Sequence, residues 1–338
     1  MSHHHRVIIR LSSLGDVILA SSALSTSLVG VNDWIVSQEY APLLKGHPKI
    51  RSIFEFDRKL GFSEWRNLCR SIWTQNYDEV LDLHSSLRTR IMQFFFIYWG
   101  IRELKKGPKW KRIRKQRWKL SGYFIFKKLW PAFLRPKPWV ERFGKTVGGS
   151  GSERPDLRHL IQDVSLYPQD LAKYSKYICV MPGSLWSGKK WPVLFYLQLL
   201  KKLPYIPVIL GTSKDQESID LVHQLKVEQI PHFSGVGQWN LKITALVLSR
   251  SEGYLGNDTG LAHLAEAVGV PANIIFGPTS PEMGFGPWQP QSKALAAPLW
   301  CRPCSKDGST CFRISNRYLC LKRLTPDRVQ SEILKANL

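Results

Sequence analysis

At 338 residues, 43% hydrophobic and 22% charged, the chain is too long for one small core and too apolar to be mainly disordered; two domains of roughly 150 residues are the natural division. Its 48 Lys/Arg against 26 Asp/Glu give a net charge of +22, which excludes a cationic partner. The excess is localised: residues 102–145 hold 16 Lys/Arg against two Glu, about two thirds of the net charge, so an anionic partner is expected there.

In chain order, "RVIIRL" reads as a buried strand, "DVILASSALSTSL" as a helix, "DWIVS" and "IRSIFEFD" as strands, "FSEWRNLCRSIWTQ" as a helix, "DEVLDLH" as a strand and "SLRTRIMQFFFIYWG" as a helix. Short β-branched runs separated by helical periods form the pattern of a parallel α/β sheet. Between the first strand and helix lies "SSLGDV", a Ser/Gly turn of the kind that cradles phosphates, yet Asp16 stands where a phosphate would be repelled. Read from the residues alone, the acid is a helix cap behind Gly15. The basic stretch 102–145, which interleaves Lys and Arg with Trp, Phe, Tyr, Ile and Leu, interrupts the α/β rhythm. "TVGGSGSERPD" (146–156) reads as a flexible link, and the domain boundary is set near residue 165, giving domains 1–165 and 166–338.

The second half resumes with strands "KYICVMP", "IPVILG", "IPHFSG", "GYLGN" and "ANIIFG" separated by helical segments, the mark of βαβ crossovers and a doubly wound sheet. Two such halves would place ligands at the carboxyl ends of two parallel sheets facing a cleft. In "VMPGSLWSGKKWP" a strand ends in a Gly/Ser loop before a helix, where backbone N–H groups meet an anion and Lys189 and Lys190 add full charges. "GNDTGLAHLAEAVGVP" has the same form, with Asp258 or Thr259 able to cap a helix that opens at Gly260, and with His263 one turn later. In "VILGTSKDQE", Asp215 and Glu217 follow a strand end, where a carboxylate either accepts from ribose hydroxyls or complements a helix dipole.

Taken in order, "RVIIRLSSLGDVILASSAL", "VLDLHSSLRTR", "VMPGSLWSGKKWP", "VILGTSKDQE", "GNDTGLAHLAEAVGVPANIIFGPTSP" and "CRPCSKDGSTC" resemble the blocks of the ADP-heptose:lipopolysaccharide heptosyltransferase family, glycosyltransferase family 9. The resemblance covers nearly the whole chain except the basic stretch. It implies a GT-B fold of two Rossmann-like domains, with the acceptor on the N-terminal one and the nucleotide sugar on the C-terminal one. It also implies inversion at the anomeric carbon without a metal or other cofactor, and the sequence contains no Asp-x-Asp. Carried across block by block, Asp16 matches the general base, Lys189 the phosphate-binding lysine and Ser184 a loop contact. Asp215 or Glu217 matches the ribose ligand, and Asp258, Thr259, Gly260 and His263 match the block around the diphosphate and sugar. Asp82, His84 and Arg88, just past a strand end, are candidates for gripping an anionic acceptor such as a Kdo carboxylate or lipid phosphate. The chain departs from the family at Ser22, where a Pro is usual, and in the weight of its basic stretch. The same fold acting on another nucleotide sugar, and a non-catalytic anionic-surface binder, are the alternatives.

With an apolar run at 91–101 only about half the length needed to cross a bilayer, and no apolar segment before the first turn, the protein is expected in the cytoplasm. There the basic aromatic stretch would dock on the inner membrane of a Gram-negative bacterium, a partner favoured over nucleic acid. Cys301, Cys304, Cys311 and Cys320 read either as free thiols or as a tetrahedral zinc site of structural kind.

Overall fold

The computed structural model describes residues 5–26, 32–126 and 131–334. Residues 27 and 28 of the first predicted helix and 127–130 of the basic stretch lie outside the described residues. By internal contacts the chain divides into two compact units, residues 1–116 with 139–159, and residues 117–138 with 160–338.

The first unit is built on a parallel sheet of β1 (Arg6–Ile9), β2 (Asn32–Ser37), β3 (Ile50–Phe56), β4 (Glu79–Asp82) and β5 (Lys109–Arg112), in the order β3-β2-β1-β4-β5. Its central strands are buried almost throughout because helices cover both faces of a parallel sheet. These helices include α1 (Leu14–Ala20), α2 (Phe62–Thr74) and α3 (Leu87–Arg102). Trp65, Trp73, Met92, Phe96 and Trp99 pack with Val7, Ile9 and Val80 into one core. The strand β5 was not expected. It lies inside the basic stretch, where alternating exposure of "KWKR" lets Lys109 and Lys111 point to water from a sheet edge. The Gly/Ser segment is not a loose link: Glu153 accepts the N–H groups of Ser150 and Gly151, both at 2.7 Å, and Gly148 and Gly151 take the left-handed conformation that glycine tolerates.

Three helices follow β5: α4 (Arg117–Phe126), α5 (Pro131–Leu134) and α6 (Trp139–Thr146). The first two belong by their contacts to the second unit and α6 to the first.

The second unit has six parallel strands, β6 (Tyr177–Met181), β7 (Ile206–Ile209), β8 (Phe233–Ser234), β9 (Tyr254–Asn257), β10 (Ala272–Phe276) and β11 (Lys293–Ala296), ordered β11-β10-β9-β6-β7-β8. Packed on it are α7 (Val193–Leu200), α8 (Gln216–Val227), α9 (Leu241–Ser249) and α10 (Gly260–Ala267), with α11 (Leu319–Lys322) and α12 (Pro326–Leu334) at the end. Each unit is thus a doubly wound α/β sheet of the expected kind. The strand order reverses between β1 and β4 in the first unit and between β6 and β9 in the second, and such switch points open crevices at the carboxyl ends of the strands.

Candidate active site

At the first switch point the loop after β1 faces the loop after β4. Asp16 is the third residue of α1 and closes a capping box with Ser13, whose N–H donates to Oδ2 at 3.2 Å and whose hydroxyl donates at 3.1 Å. Buried Arg10, just past β1, reaches the same Oδ2 at 2.7 Å and donates to the Leu83 carbonyl, also at 2.7 Å. The cap is therefore present. All three contacts fall on Oδ2, and Oδ1 takes part in none of them.

The loop after β4 is shaped by Asp82, which is fully buried. It accepts from the N–H groups of His84 at 3.1 Å and Ser85 at 2.7 Å, and from Arg112 Nε at 2.6 Å. Expected as an acceptor contact, Asp82 instead lies beneath the loop with both oxygens engaged. His84 stands above it with a buried Nδ1; burial, then the nearby charges of Arg10 and Lys115, push its imidazole down to about 4, against the pull of Asp82 and Asp16. The ring is neutral at pH 7. Arg88, near the start of α3, lies over the Phe56 ring at 5.1 Å. Arg142 of α6 stacks at 3.9 Å on Trp139, and its guanidinium is pushed down to about 10 by burial and by Arg10.

At the second switch point the loop after β6 carries Ser184, which is buried, and then Lys189. The Lys189 ammonium sits 2.8 Å from Asp258 Oδ2 and donates to the Asp258 carbonyl at 3.1 Å, while Thr279 donates to the same Oδ2 at 3.0 Å. Asp258 thus precedes the start of α10 with its charge already met. The N-cap of α10 is Thr259, whose hydroxyl pairs with Tyr254 at 3.2 Å, and Gly260 opens the helix. Lys190 pairs with Glu217 at 2.7 Å. Asp215, the N-cap residue of α8, accepts the Thr212 N–H at 2.6 Å and its hydroxyl at 2.9 Å, both on Oδ2, so that oxygen is committed to the turn after β7. His263 does not lie open at the helix start: its ring is buried and stacks on Trp288, 5.6 Å between centroids and 16° between planes.

One residue ties these loops together. Asn257, fully buried at the end of β9, donates to the Pro182 carbonyl at 2.5 Å and accepts from the Trp191 N–H at 3.2 Å and the Tyr196 hydroxyl at 3.0 Å.

Residues 151–313 match the family described as "Glycosyltransferase family 9 (heptosyltransferase)". Lipopolysaccharide heptosyltransferase 1 of Pseudomonas aeruginosa is 24% identical, over 97% of this chain and 96% of that protein. Its Escherichia coli K12 counterpart is also 24% identical, over 83% of this chain and 90% of the relative. The chain is similar to glycosyltransferase family 9 through these matches. Among solved structures, ADP-heptose lipopolysaccharide heptosyltransferase II of E. coli superposes with a TM-score of 0.71 at 20% identity, each chain covered to 98%. E. coli heptosyltransferase WaaC with ADP gives 0.70 at 19% identity, over 98% of this chain and 99% of that one. These likenesses give the chain a GT-B fold.

Sequence reasoning missed several residues that position the site. Arg10, Thr279 and Asn257 stood inside the recognised blocks, but a one-dimensional pattern does not reveal a partner. Arg302 stood between two cysteines and drew no notice. It is partly buried, desolvation lowers its pKa, and it spans three carbonyls, those of Gly277, Ala297 at 2.9 Å and Thr279 at 2.9 Å. None of the four cysteines around it is in a disulfide, and among the described residues no group of three or more His, Cys, Asp or Glu is placed to hold a metal ion. Protein hydrogen bonds hold the segment, including the Cys304 N–H to the Pro278 carbonyl at 2.9 Å and the Tyr318 N–H to Cys311 Sγ at 3.3 Å.

Proposed function

We propose that this glycosyltransferase moves heptose from ADP-heptose to a lipopolysaccharide inner-core acceptor of Kdo–lipid A type, with inversion at the anomeric carbon and without a divalent ion. The observation that carries the reading is that each switch point holds the chemistry one substrate needs. In the first unit an oriented carboxylate stands among cationic side chains; in the second, Lys189 stands beside the start of α10 and Lys190 beside Glu217 on α8. Support comes also from relatives named as lipopolysaccharide heptosyltransferases and from a family structure solved with ADP-2-deoxy-2-fluoro heptose.

On this reading Lys189 and the N–H groups opening α10 take the diphosphate, with Lys190 adding charge and Ser184 a loop contact. Glu217, partly exposed, accepts from the ribose, since Asp215 has Oδ2 committed to its turn. Asp16 Oδ1 takes the proton of the acceptor hydroxyl as that oxygen forms its bond to C1. The C1–O bond to ADP breaks on the opposite face, which inverts the centre. Arg88, Arg142 and Lys115 meet the acceptor's anionic groups, and neutral His84 serves as a hydrogen-bonding group beside them.

The acceptor is a lipid, so the enzyme works at the cytoplasmic face of the inner membrane, with the basic stretch docking there. That stretch exposes Trp118, Ile125 and Phe133 among its cations, and no described helix is long and apolar enough to cross a bilayer.

Asp16→Asn tests the assignment. Transfer should fall roughly a hundred- to ten-thousandfold while donor affinity by calorimetry stays within threefold and the fold, checked by circular dichroism, is retained. Transfer at the wild-type rate would leave Asp16 with its cap and its ion pair alone.

A further inference from the structure

Between Phe94 and Ile101 helix α3 is apolar on every side. A helix of that kind is normally buried all round. Its inward residues Met92, Phe96 and Trp99 are in the core, where Phe96 meets Trp73 and Trp110 edge-on. The outward residues repeat the same character at helical spacing, and they are in solvent: Phe94 is 65% exposed, Ile101 is 72% exposed, and Ile97 and Tyr98 between them are also exposed. Leu104, just past the helix, is 96% exposed. Beside them a groove of about 610 Å³ is lined by Ile97, Gly100, Ile101, Leu104 and Trp110. Phe95, packed against Phe62 on α2 at 5.9 Å, carries the apolar surface sideways onto a second helix.

The rim of this face is cationic. Arg90 and Arg102 on α3 and Lys106 and Lys109 beyond it are exposed, and the nearby acid, Glu103, is taken by Arg70 and the Trp73 indole N–H. An apolar stripe edged by Lys and Arg complements a surface that is apolar within and anionic at its border. At 16 residues α3 is too short to cross a bilayer and long enough to lie in its interface.

We infer that the outward face of α3, Phe94, Ile97, Tyr98 and Ile101 with Leu104, inserts into the headgroup region of an anionic membrane while Arg90, Arg102, Lys106 and Lys109 contact its phosphates. This rests on the reading of a lipid-borne acceptor and extends it, since it moves the apolar contact from the basic stretch to the helix before it.

The test is sedimentation with vesicles of phosphatidylcholine alone and of phosphatidylcholine with 30% phosphatidylglycerol, using the full chain at about 0.15 M salt. Wild type should pellet with the anionic vesicles, and Ile97→Glu with Ile101→Glu should weaken that binding at least tenfold. Lys106→Ala and Lys109→Ala should each weaken it roughly fivefold. Both positions of the Glu pair are exposed, so the melting temperature should not move, and transfer to a water-soluble acceptor fragment should match wild type. Equal pelleting of the Glu variant overturns the inference. So does a wild-type dimer in solution that the Glu variant abolishes, because the face would then belong to a second copy. Absence of transfer in both proteins, with the vesicle result intact, would strike the function and not the surface.

Discussion

On the proposed reading, Lys189 meets its ligand already partnered. A diphosphate must draw the ammonium from an Asp258 carboxylate 2.8 Å away, and Asp258 must then keep its charge on the Thr279 hydroxyl. Because that acid is buried, removing the lysine leaves a carboxylate without a counter-charge, a change that typically costs about 3–5 kcal/mol. Lys189→Ala should therefore weaken ADP binding at least tenfold and lower stability by about 3 kcal/mol. Adding Asp258→Asn should restore most of the stability and none of the affinity. Calorimetry and urea melts on the three variants check this; affinity regained in the double variant would mean that the lysine serves only to neutralise Asp258. At this scale "GKKWP" and "NDTGLAH" could be read as a candidate anion site because loop composition and helix starts are local properties. That Asp258 holds the lysine was not legible, since the two residues are 69 positions apart.

Three loops meet without side-chain room around the lysine. A Cβ at Gly188 would lie 2.3 Å from the Gly308 carbonyl oxygen, one at Gly277 would lie 2.3 Å from that of Gly188, and one at Gly308 would lie 2.7 Å from Lys189 Cγ. These are contacts with fixed backbone in two of the three cases, so Gly188→Ala must push the Cys-rich segment away from the loop after β6. We expect a loss of about 1–3 kcal/mol and a several-fold weaker ADP affinity as Lys189 shifts with its neighbour, read as a lower melting point and a smaller ADP-induced rise in it. A melting point equal to wild type would show that the loops separate at no cost. Elements such as β1, β6 and β10 were readable because a central parallel strand is an unbroken apolar run. β5 and β11 were not: an edge strand that alternates lysine with tryptophan, or a four-residue "KALA", has no such run to offer.

Across the whole molecule, buried histidines set the response to acid. Burial and the neighbouring His159 push His47 down to about 4 from 6.5, and His84 is lowered to about 4 as well. The unfolded chain binds these protons at higher pH than the folded one, so stability is full above pH 6.5 and falls as pH drops through the window from 6.5 to about 4. A loss of a few kcal/mol in all is expected across that window. Urea melts at pH 7 and pH 4.5 measure it, and equal midpoints would refute it. Carboxylates with lowered pKa, such as Asp33 beside Arg51, act only further into acid.

The division into two doubly wound units followed from the rhythm of strands and helices, which is a property of the chain as written. Which strands would neighbour one another, and so where the sheets reverse, depends on packing between distant segments. Asn257 shows what that packing demands of a single residue. Its amide gives one hydrogen bond to Pro182 and takes two, from Trp191 and Tyr196, out of reach of water. Aspartate of the same size has no proton to give and brings a charge, and leucine would strand a carbonyl, an amide and a phenol at once. Position 257 therefore tolerates neither the isosteric acid nor the isosteric hydrocarbon, and variation around the lysine loop has to proceed with this one side chain held constant.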